Sequence, residues 1–523
     1  MARNRQFNAE GPCNPQEHYM LDPLRGLDKQ IRSLVNDKKY FVIHAARQSG
    51  KTTLLRALVR QIRDKGDYYA LFCSFARLDK LPDVAAGIPT IIEIIQNALI
   101  SYQLPNASTF SDSIGKNSPF SALQVALAAY CRSLDKPLVL MFDEADCIIG
   151  ETLIAFLRQL RDGYNERDEI PFVHSLALVG MRNIRDYRND YRDPSKTLGS
   201  ASPFNISARS MTLRNFTKEE IAELYAQHTA DTGQVFQDDA VELVWEQTQG
   251  QPWLVNATAR IIVQDMTADA PQTPVTAEMV SEAIQMLVLR WDTHFDSLMA
   301  RLDEERVKSI IEPMIIGDDI LLDRNSSDYT YVKDMGLIRD DRVCVEPANP
   351  IYGEIIIRTL SRSAQENMNS RGGAYPIPRY LKDGKMDMDV LLRDFQSFWR
   401  ENEEIWQKKY DYQEAAPLLV LQAFLQRVVN GGGRVARETA SGSGRVDLCV
   451  FYNELKYPIE LKIRRGAKTY IDGIEQLFEY MDKFGCTDGW MVIFDQTKKT
   501  PWEERLFVNR ETIGSKTVAV YGC

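Results

Sequence analysis

The stretch Tyr40–Leu55, YFVIHAARQSGKTTLL, decides the fold of the first half of the chain. Its first five residues, Tyr40–His44, form a short apolar run of the kind that makes a buried parallel strand. The run stops at small residues, where a tight loop must begin, and from Ala45 the spacing is A-x-x-x-x-G-K-T. Beyond the loop, Thr53–Val59 continues as a helix. The stretch therefore predicts a strand, a tight loop and a helix in direct succession.

The loop has the residue types that a phosphate group needs. Its spacing resembles the Walker A motif, with Ala45 in place of the first glycine. Gly50 lets the backbone approach a phosphate closely, while N–H groups of the loop and of the helix N-terminus converge on it. Lys51 is expected to reach the β- and γ-phosphates, and Thr52 to place its hydroxyl on Mg²⁺. The expected nucleotide-binding residues of the loop are Ala45, Gln48, Ser49, Gly50, Lys51, Thr52 and Thr53.

A second strand supplies the acidic residues that such a loop requires. Leu138–Phe142 (LVLMF) is another apolar run, followed directly by Asp143 and Glu144, the arrangement of a Walker B strand. Asp143 is expected to hold Mg²⁺ directly or through water, and Glu144 to polarise the attacking water. A solvated strand terminus has the same pattern, but the presence of Lys51 upstream favours a site for ATP and Mg²⁺.

Composition places the chain among globular proteins of several domains. It has 523 residues, too many for one core, with 44% hydrophobic and 26% charged residues. The eight cysteines have no C-x-x-C spacing and the five histidines no zinc-ligand spacing, so we expect reduced thiols and no zinc site. We find no signal peptide and no apolar run of eighteen residues, which predicts a cytoplasmic protein without a membrane partner.

Charge is distributed unevenly along the chain. The formal net charge is −10, but residues 415–523 hold 15 Lys and Arg against 13 Asp and Glu. This part is therefore near +2 and the remainder near −12. The acidic total does not exclude a nucleic-acid partner for the C-terminal part.

Alternating strands and helices continue from the loop helix to a strand at 175–181 (SLALVGM). This alternation predicts an α/β domain with a parallel, doubly wound sheet. Residues 105–119 are expected to form a polar loop. Arg182 and Asn183 follow the last strand, at the place where additional-strand P-loop ATPases carry a γ-phosphate sensor. Asn183 is the candidate for that role, and an ordinary solvated strand end is the alternative.

The segment after this sheet carries helix signals. Thr217 and Glu220 form a capping box, and a later helix ends at Gly250 before Pro252 begins the next one. The G-Q-P turn between them resembles the G-x-P element that approaches nucleotide in STAND and archaeal-type ATPases, and Tyr40–Asn256 is similar to that group throughout. The resemblance implies a small helical lid that reports the nucleotide state, with Pro252 beside the nucleotide.

Residues 276–360 have the order of elements of a winged helix, with a hairpin at LIRDDRVCVEP and a closing helix. Its recognition helix, near Tyr329–Met335, lies in SSDYTYVKDM, which carries one Lys and two Asp. Packing or an oligomer contact is therefore favoured over docking on DNA. Residues 361–388 are rich in Gly, Pro and polar residues without periodicity, which predicts a linker.

The C-terminal part carries a second group of acidic and basic residues. A helix at Glu414–Val429, three short strands, another helix and a strand give the order α-β-β-β-α-β. Alternate residues of a strand share a face, so Glu460 and Lys462 are expected to point into one site while Leu461 packs in the core. Asp447, on the neighbouring strand, is placed to join Glu460 in binding a divalent cation such as Mg²⁺. The metal would activate water, and Lys462 would orient it or offset charge on the phosphorus.

This pattern resembles the PD-(D/E)xK nuclease fold, with Val446 where that group usually has proline. The matching residues are Asp447, Glu460 and Lys462 for the motif, Gln476 for its helix glutamine, and Glu414 on the first helix to complete the site. From the HYM tripeptide at 18–20 onward, the chain resembles a bacterial group of AAA-like ATP-binding proteins that end in such a nuclease domain.

These observations predict six segments. They are an N-terminal arm at 1–30, a P-loop ATPase core at 31–213, a helical lid at 214–275, a winged-helix domain at 276–360, a linker at 361–388 and a PD-(D/E)xK nuclease-like domain at 389–523. The hypothesis is an ATP- and Mg²⁺-dependent protein that regulates a nuclease acting on DNA or RNA, which the resemblance associates with defence or mobile elements. The alternative is a signalling or scaffold ATPase whose C-terminal domain binds nucleic acid or a partner without cleavage. Either protein is compatible with a homo-oligomer.

Overall fold

The computed structural model of the chain describes residues 5–523 with internal gaps. The gaps are 80, 113–116, 182–205, 291–294, 296–299, 303, 317–322, 341–344, 357–358, 361–379, 383, 410–416, 419, 423, 426–432, 437–447, 454, 465–467 and 496–499. Four predicted site or sensor residues, Arg182, Asn183, Glu414 and Asp447, lie outside the described residues, as does most of the predicted linker. The chain forms two compact units, Met1–Arg290 with Thr330–Ile338, and Trp291–Tyr329 with Arg339–Cys523.

The first unit is built on a five-stranded parallel sheet. Its strands are β1 (Tyr40–His44), β2 (Tyr69–Ser74), β3 (Leu138–Asp143), β4 (Ser175–Gly180) and β5 (Ser207–Thr212). Their order is β2-β3-β4-β1-β5, so β4 lies between the strand that precedes the loop and the acidic strand. The parallel α/β sheet predicted from the sequence is confirmed.

Helices cover both faces of this sheet. They are α1 (Asp28–Asn36), α2 (Lys51–Lys65), α3 (Val84–Ser101), α4 (Ala107–Asp112), α5 (Ala122–Ser133) and α6 (Gly150–Glu166). Successive residues of a strand point to opposite faces, so Tyr40 and Val42 pack into a core with α3, α5 and α6, while Phe41 and Ile43 pack into another with α1 and α2. Helix α4 corrects the expected polar loop at 105–119, because Phe110 is fully buried and anchors this turn of helix.

Helix α3 concerns a second expectation, the absence of an apolar run of eighteen residues. Among the described residues, Val84–Ser101 is the one helix long and apolar enough to cross a membrane by length and composition. This helix is predominantly apolar over its eighteen residues, although it includes Glu93. Within the first unit this helix is a core element, because Ile88, Ile91, Ile95 and Leu99 are buried against the sheet and its neighbouring helices.

A group of helices follows β5. They are α7 (Lys218–Thr232), α8 (Asp238–Thr248), α9 (Pro252–Arg260), a π-helical turn at Ile261–Met266, and α10 (Ala277–Arg290). The capping box of α7 is present, because the Thr217 side chain accepts from the Glu220 backbone N–H and the Glu220 side chain accepts from the Thr217 N–H. The N-terminal arm packs on α7, where the Phe7 ring lies 5.5 Å from that of Tyr225.

Short elements connect the two sheets. They are α11 (Glu305–Ile316), α12 (Ser327–Asp334), the strand pair β6 (Ile338–Asp340) and β7 (Val345–Pro347), and the strand pair β8 (Leu381–Lys382) and β9 (Lys385–Met386). Helix α12 ends in a turn at Gly336, close to the predicted recognition helix. The winged helix itself stays a prediction.

The second unit contains a six-stranded sheet in the order β10-β11-β12-β13-β15-β14. The strands are β10 (Gly433–Ala436), β11 (Leu448–Tyr452), β12 (Leu455–Ile463), β13 (Asp488–Phe494), β14 (Val508–Ile513) and β15 (Lys516–Gly522). The helices are α13 (Met388–Lys409), α14 (Lys468–Phe484) and α15 (Trp502–Arg505). Strands β12, β13 and β15 run parallel to one another, and the outer strands are antiparallel. Helix α14 buries Leu477 and Met481 against Met491 of β13.

Candidate functional site

The loop after β1 begins the candidate nucleotide site. Gly50 precedes α2 with a φ of 91°, a left-handed conformation that favours glycine, and Gln48 has a φ of 56°. Ala45 has no positive φ, so its methyl group is compatible with the place of the missing motif glycine. Ser49 is buried, and its hydroxyl donates to the Ala46 carbonyl at 2.8 Å. The departure from the motif therefore adds no backbone strain to the loop.

Lys51 is held by the loop itself. Its Nζ donates to the carbonyl oxygens of Ala45 at 2.8 Å and Ala46 at 2.7 Å. Burial lowers the pKa of Lys51 to about 8, and the nearby carboxylates of Asp146 and Asp143 oppose that shift. Because both hydrogen-bond acceptors are uncharged, a polyphosphate can replace them as the partner of the Lys51 ammonium group without breaking an ion pair.

Thr52 and Asp143 meet, as two ligands of one Mg²⁺ ion must. Thr52 Oγ1 donates to Asp143 Oδ2 at 2.5 Å, and the backbone N–H of Glu144 donates to Asp143 Oδ1 at 3.0 Å. Burial raises the pKa of Asp143, and the hydrogen bond from Thr52 opposes this rise. A hydroxyl and a carboxylate are oxygen ligands of the type that Mg²⁺ takes in P-loop ATPases. These residues therefore fit the ion.

Glu144 is fixed by a residue that sequence reasoning missed. Ser74 Oγ donates to Glu144 Oε2 at 2.6 Å. Ser74 is the last residue of β2 and the register partner of Asp143 on β3. Its only signal in the sequence is a polar residue at the end of an apolar strand. The hydrogen bond makes Ser74 a positioning residue for the carboxylate that is expected to polarise water.

The turn before α9 approaches the loop through its middle residue. Pro252 is the first residue of α9, but Gln251 Nε2 lies 3.5 Å from the Arg47 carbonyl oxygen, and the Gln251 side chain also caps α9. Gly250 has a φ of 70°, and a Cβ there would lie 1.9 Å from the Phe216 carbonyl oxygen. The turn therefore requires its glycine, and Gln251, which the sequence did not single out, makes the contact with the loop.

Two further segments border the nucleotide loop. In the N-terminal arm, the Cys13 N–H donates to Thr53 Oγ1 at 3.0 Å. After α12, Gly336 has a φ of 72°, and a Cβ there would lie 2.4 Å from Ala46 Cβ. Residues 330–338 belong to the first unit, so this contact is internal to it. Both segments cover the loop from positions far away in the chain.

His44, at the end of β1, contacts β5 and the last residue of α12. Its Nε2 lies 3.0 Å from Thr212 Oγ1 and 3.8 Å from Asp334 Oδ1. Burial lowers the pKa of His44, and Asp334 opposes that shift. The neutral imidazole is therefore the favoured form of His44 in the folded protein at neutral pH.

The loop, the acidic strand and the order of the sheet define a P-loop ATPase. The chain belongs to the family of the AAA-like domain, whose model matches residues 25–356, well over half of the chain. The prediction of an AAA-like P-loop core is therefore confirmed, and this fold implies nucleotide binding. No curated protein matches the chain.

The chain is also similar to several solved structures. One is the Walker-type ATPase paby2304 of Pyrococcus abyssi, with 12% identity, a TM-score of 0.46 and coverage of 67% of this chain and 99% of that one. Another is Cdc6p from Pyrobaculum aerophilum, with 15% identity, a TM-score of 0.37 and coverage of 66% and 96%. A third is the RuvB Holliday junction branch migration motor of Thermotoga maritima, with 13% identity, a TM-score of 0.34 and coverage of 64% and 93%.

The second unit brings three of the other predicted site residues together. Lys462 Nζ lies 2.7 Å from Glu460 Oε1 and donates to Gln476 Oε1 at 2.5 Å. The Glu460 side chain is 1% exposed and that of Lys462 is 23% exposed. Gly473 of α14 makes this approach possible, because a Cβ there would lie 3.2 Å from Lys462 Cγ and 2.4 Å from Met491 Sδ. Sequence reasoning did not identify Gly473.

One expected detail of β12 is wrong. Leu461 is partly exposed, whereas Glu460 is buried. The reason is that α14 covers the face of β12 that carries Glu460 and Lys462. Among the described residues, no group of three or more His, Cys, Asp or Glu side chains is arranged to hold a metal ion. The described part of the chain contributes one carboxylate, Glu460, to the predicted Mg²⁺ site.

Proposed function

We propose that this P-loop ATPase uses ATP binding and hydrolysis to regulate a metal-dependent nuclease site in its C-terminal part, which acts on DNA or RNA. The observation that carries the proposal is the cluster of Glu460, Lys462 and Gln476. It combines a carboxylate on a strand, a lysine two residues later on the same face, and a glutamine from the covering helix. This set of groups suits the binding of a metal ion and of an attacking water.

The two sites have separate tasks in this proposal. In the first unit, Lys51 binds the β- and γ-phosphates, while Thr52 and Asp143 would hold Mg²⁺, which offsets phosphate charge when bound. Glu144, held by Ser74, orients and deprotonates the attacking water. The water oxygen bonds to the γ-phosphorus as the bond from that phosphorus to the β,γ-bridging oxygen breaks, and the proton lost by the water passes to Glu144. The reaction therefore yields ADP, the leaving group, and phosphate.

In the second unit, the attacking water is the nucleophile on a phosphodiester. Glu460 would contribute a carboxylate ligand to Mg²⁺, and Asp447 is the proposed second ligand. Lys462, close to Glu460, would orient the water and offset charge on the phosphorus. Gln476 fixes the ammonium group of Lys462 through its amide oxygen. The water oxygen bonds to phosphorus as the bond from phosphorus to the leaving oxygen breaks, and the proton lost by the water balances the one that the leaving oxygen takes up.

A second function has one observation in its favour. The 2.7 Å contact between Glu460 and Lys462 is also what a structural ion pair would have. In that case the protein would be a signalling or scaffold ATPase whose C-terminal part binds nucleic acid or a partner without cleavage.

A cleavage assay on the purified full chain separates the two functions. The substrates are single-stranded DNA, duplex DNA and RNA, each with Mg²⁺ or Mn²⁺, and with or without ATP. Lys462→Ala is expected to lower cleavage by at least about 100-fold while ATP hydrolysis changes by less than about threefold. Lys456→Ala is the matched control, since Lys456 is an exposed lysine of the same strand. Lys51→Ala is expected to remove the ATP dependence of cleavage.

The outcomes are distinct. If the Lys462→Ala variant still cleaves nucleic acid, the cleavage site is not the cluster of Glu460, Lys462 and Gln476. A wild-type chain that hydrolyses ATP but cleaves none of the substrates would support the scaffold ATPase.

A further inference from the structure

A cavity of about 520 Å³ opens on the flank of α2, away from the residues assigned above. Its lining residues are Arg56, Val59, Arg60, Arg63, Asp64 and Tyr102. The three arginines recur at i, i+4 and i+7, so they form one stripe along the helix. Lys51, at the start of this helix, belongs to the nucleotide loop, whereas Arg56 lies more than one turn further on. We call this feature the arginine cavity.

The arginine cavity concentrates positive charge on an acidic protein. Its lining has three guanidinium groups and one carboxylate, in a chain with a net charge of −10. Within the part of the chain that the structure describes, none of the three arginines forms an ion pair. Other surface arginines do, since Arg32 and Arg214 bind carboxylates at 2.7 Å. The cavity therefore offers three guanidinium groups that form no ion pair with a described carboxylate.

Aromatic rings hold two of these guanidinium groups in place. Arg56 lies over the Phe72 ring, 5.5 Å from its centroid. Arg63 lies over the Tyr102 ring, 5.1 Å from its centroid, and its Nη2 donates to the Tyr102 carbonyl oxygen at 3.2 Å. Residues of α2 and Tyr102, which follows α3, line the cavity, and Phe72 of β2 lies beneath Arg56. Pre-oriented arginine side chains lose less conformational entropy when they bind a ligand.

The spacing of the arginines indicates what they bind. From Arg56 to Arg63 the helix axis rises about 10 Å. Each strand of a B-form duplex has one phosphate per about 3.4 Å of helix axis, so this length matches about three phosphates of a helically wound strand. The planar fork of an arginine fits a phosphate through two parallel hydrogen bonds. A volume of about 520 Å³ also suits a small ligand.

We propose that the arginine cavity binds the phosphate groups of a nucleotide strand. A free polyphosphate compound presents the same phosphate groups, and the competition experiment below distinguishes it from a strand. The site lies in the first unit and does not depend on whether the C-terminal part cleaves nucleic acid.

The test measures binding to the full chain by fluorescence anisotropy. The probe is a fluorescein-labelled oligothymidylate of about 12 nucleotides, and EDTA is present to prevent metal-dependent cleavage. The variant is R56Q/R60Q/R63Q. Its matched control is Arg167→Gln, because Arg167 also lies over a tyrosine ring, that of Tyr164 at 3.7 Å, and donates to a backbone carbonyl. Circular dichroism checks that each variant is folded.

The triple variant is expected to bind at least about tenfold more weakly than the control. The plot of the logarithm of the association constant against the logarithm of salt concentration has a negative slope. The magnitude of this slope is expected to decrease by about 2, since each of three lost phosphate contacts on a single strand contributes about 0.7. Asp64→Asn is expected to bind at least about twofold more tightly, because it removes the carboxylate of the cavity. This second variant tests the proposal even if the triple variant does not fold.

Competition with tripolyphosphate identifies the source of the ligand. Displacement of the probe at micromolar tripolyphosphate indicates a free polyphosphate, whereas a requirement for millimolar concentrations indicates the strand. The proposal is overturned if the wild-type chain binds neither compound. It is also overturned if the folded triple variant, or Asp64→Asn, binds as the Arg167→Gln control does.

Discussion

The nucleotide site of the first unit and the cluster on β12 of the second unit both combine a buried carboxylate with a lysine, but they pair these groups differently. In the first unit Asp143 accepts from the Thr52 hydroxyl, and Lys51 donates to two carbonyl oxygens. In the second unit Lys462 contacts Glu460 directly at 2.7 Å. Lys51 is held by uncharged carbonyl groups, whereas Lys462 is held by the carboxylate of Glu460 as well as by the amide oxygen of Gln476.

This difference decides how each site accepts a charged ligand. A phosphate can replace the two carbonyl oxygens as the partner of Lys51, and no carboxylate then loses its positively charged partner. A metal ion at Glu460 must instead replace Lys462 as the partner of a buried carboxylate. The first site is therefore prepared for an anion, and the second has a neutralised carboxylate until a cation enters.

The largest expected effect tests the first site. Glu144→Gln should lower ATP hydrolysis by about 10²–10⁴-fold, because the amide cannot accept the proton of the attacking water. ATP affinity should change by less than about threefold, since Thr52 and Asp143 remain in place. Steady-state hydrolysis and calorimetric binding measure the two quantities, with the exposed Glu151→Gln as the control. Loss of ATP binding would show that Glu144 serves the metal or the fold.

The second effect tests the neutralised carboxylate. Without metal, Lys462→Ala should lower the free energy of unfolding by about 2–3 kcal/mol, because Glu460 loses its charge partner inside the protein. The value lies below that of a fully buried pair because the Lys462 side chain is 23% exposed. Mg²⁺ should restore at least about half of the loss if it binds Glu460. Denaturant unfolding with and without Mg²⁺ measures this, and no restoration would identify a structural ion pair.

A third effect tests the charge of Lys51 through the pH dependence of ATP binding. Burial lowers the pKa of Lys51 to about 8 in the nucleotide-free protein, and bound phosphates raise it. ATP binding therefore takes up a proton above pH 8, and affinity should fall by up to about tenfold per pH unit as pH rises beyond that value. Below it the affinity should level off. Calorimetric titrations across pH 7–10 test this, and Lys51→Met should show no such dependence.

The smallest expected effect concerns the positioning residue of the first site. Ser74→Ala removes one hydrogen bond to Glu144 and should lower kcat for ATP hydrolysis by about fivefold, which corresponds to about 1 kcal/mol. KM should stay unchanged because Ser74 contacts neither Lys51 nor Thr52. Ser74→Thr keeps the hydroxyl and should recover most of the rate. Equal rates in Ser74→Ala and the wild-type chain would show that Ser74 does not contribute to ATP hydrolysis.

Sequence analysis predicted β1, β3 and β4 because each is a short apolar run that is buried on both faces. It missed β5, SARSMT, because this edge strand has few apolar residues and forms through its pairing with β1. It also placed Leu461 in the core, since strand periodicity shows which residues share a face but not which face a helix will cover.

The sequence by itself determined the class of this protein, a P-loop ATPase. The loop with Lys51 and Thr52, and the acidic pair of Asp143 and Glu144, are short local patterns. Binding of phosphate and Mg²⁺ requires these residue types at this spacing. Only the tertiary structure decided which other residues contact the loop and the acidic strand. Ser74, Gln251 and Gly336 act through distant segments that folding brings beside the loop and its acidic strand, and single residues of this kind leave no periodic signal. The same reason applies to the arginine cavity, since the rings that orient its arginines come from β2 and from the end of α3.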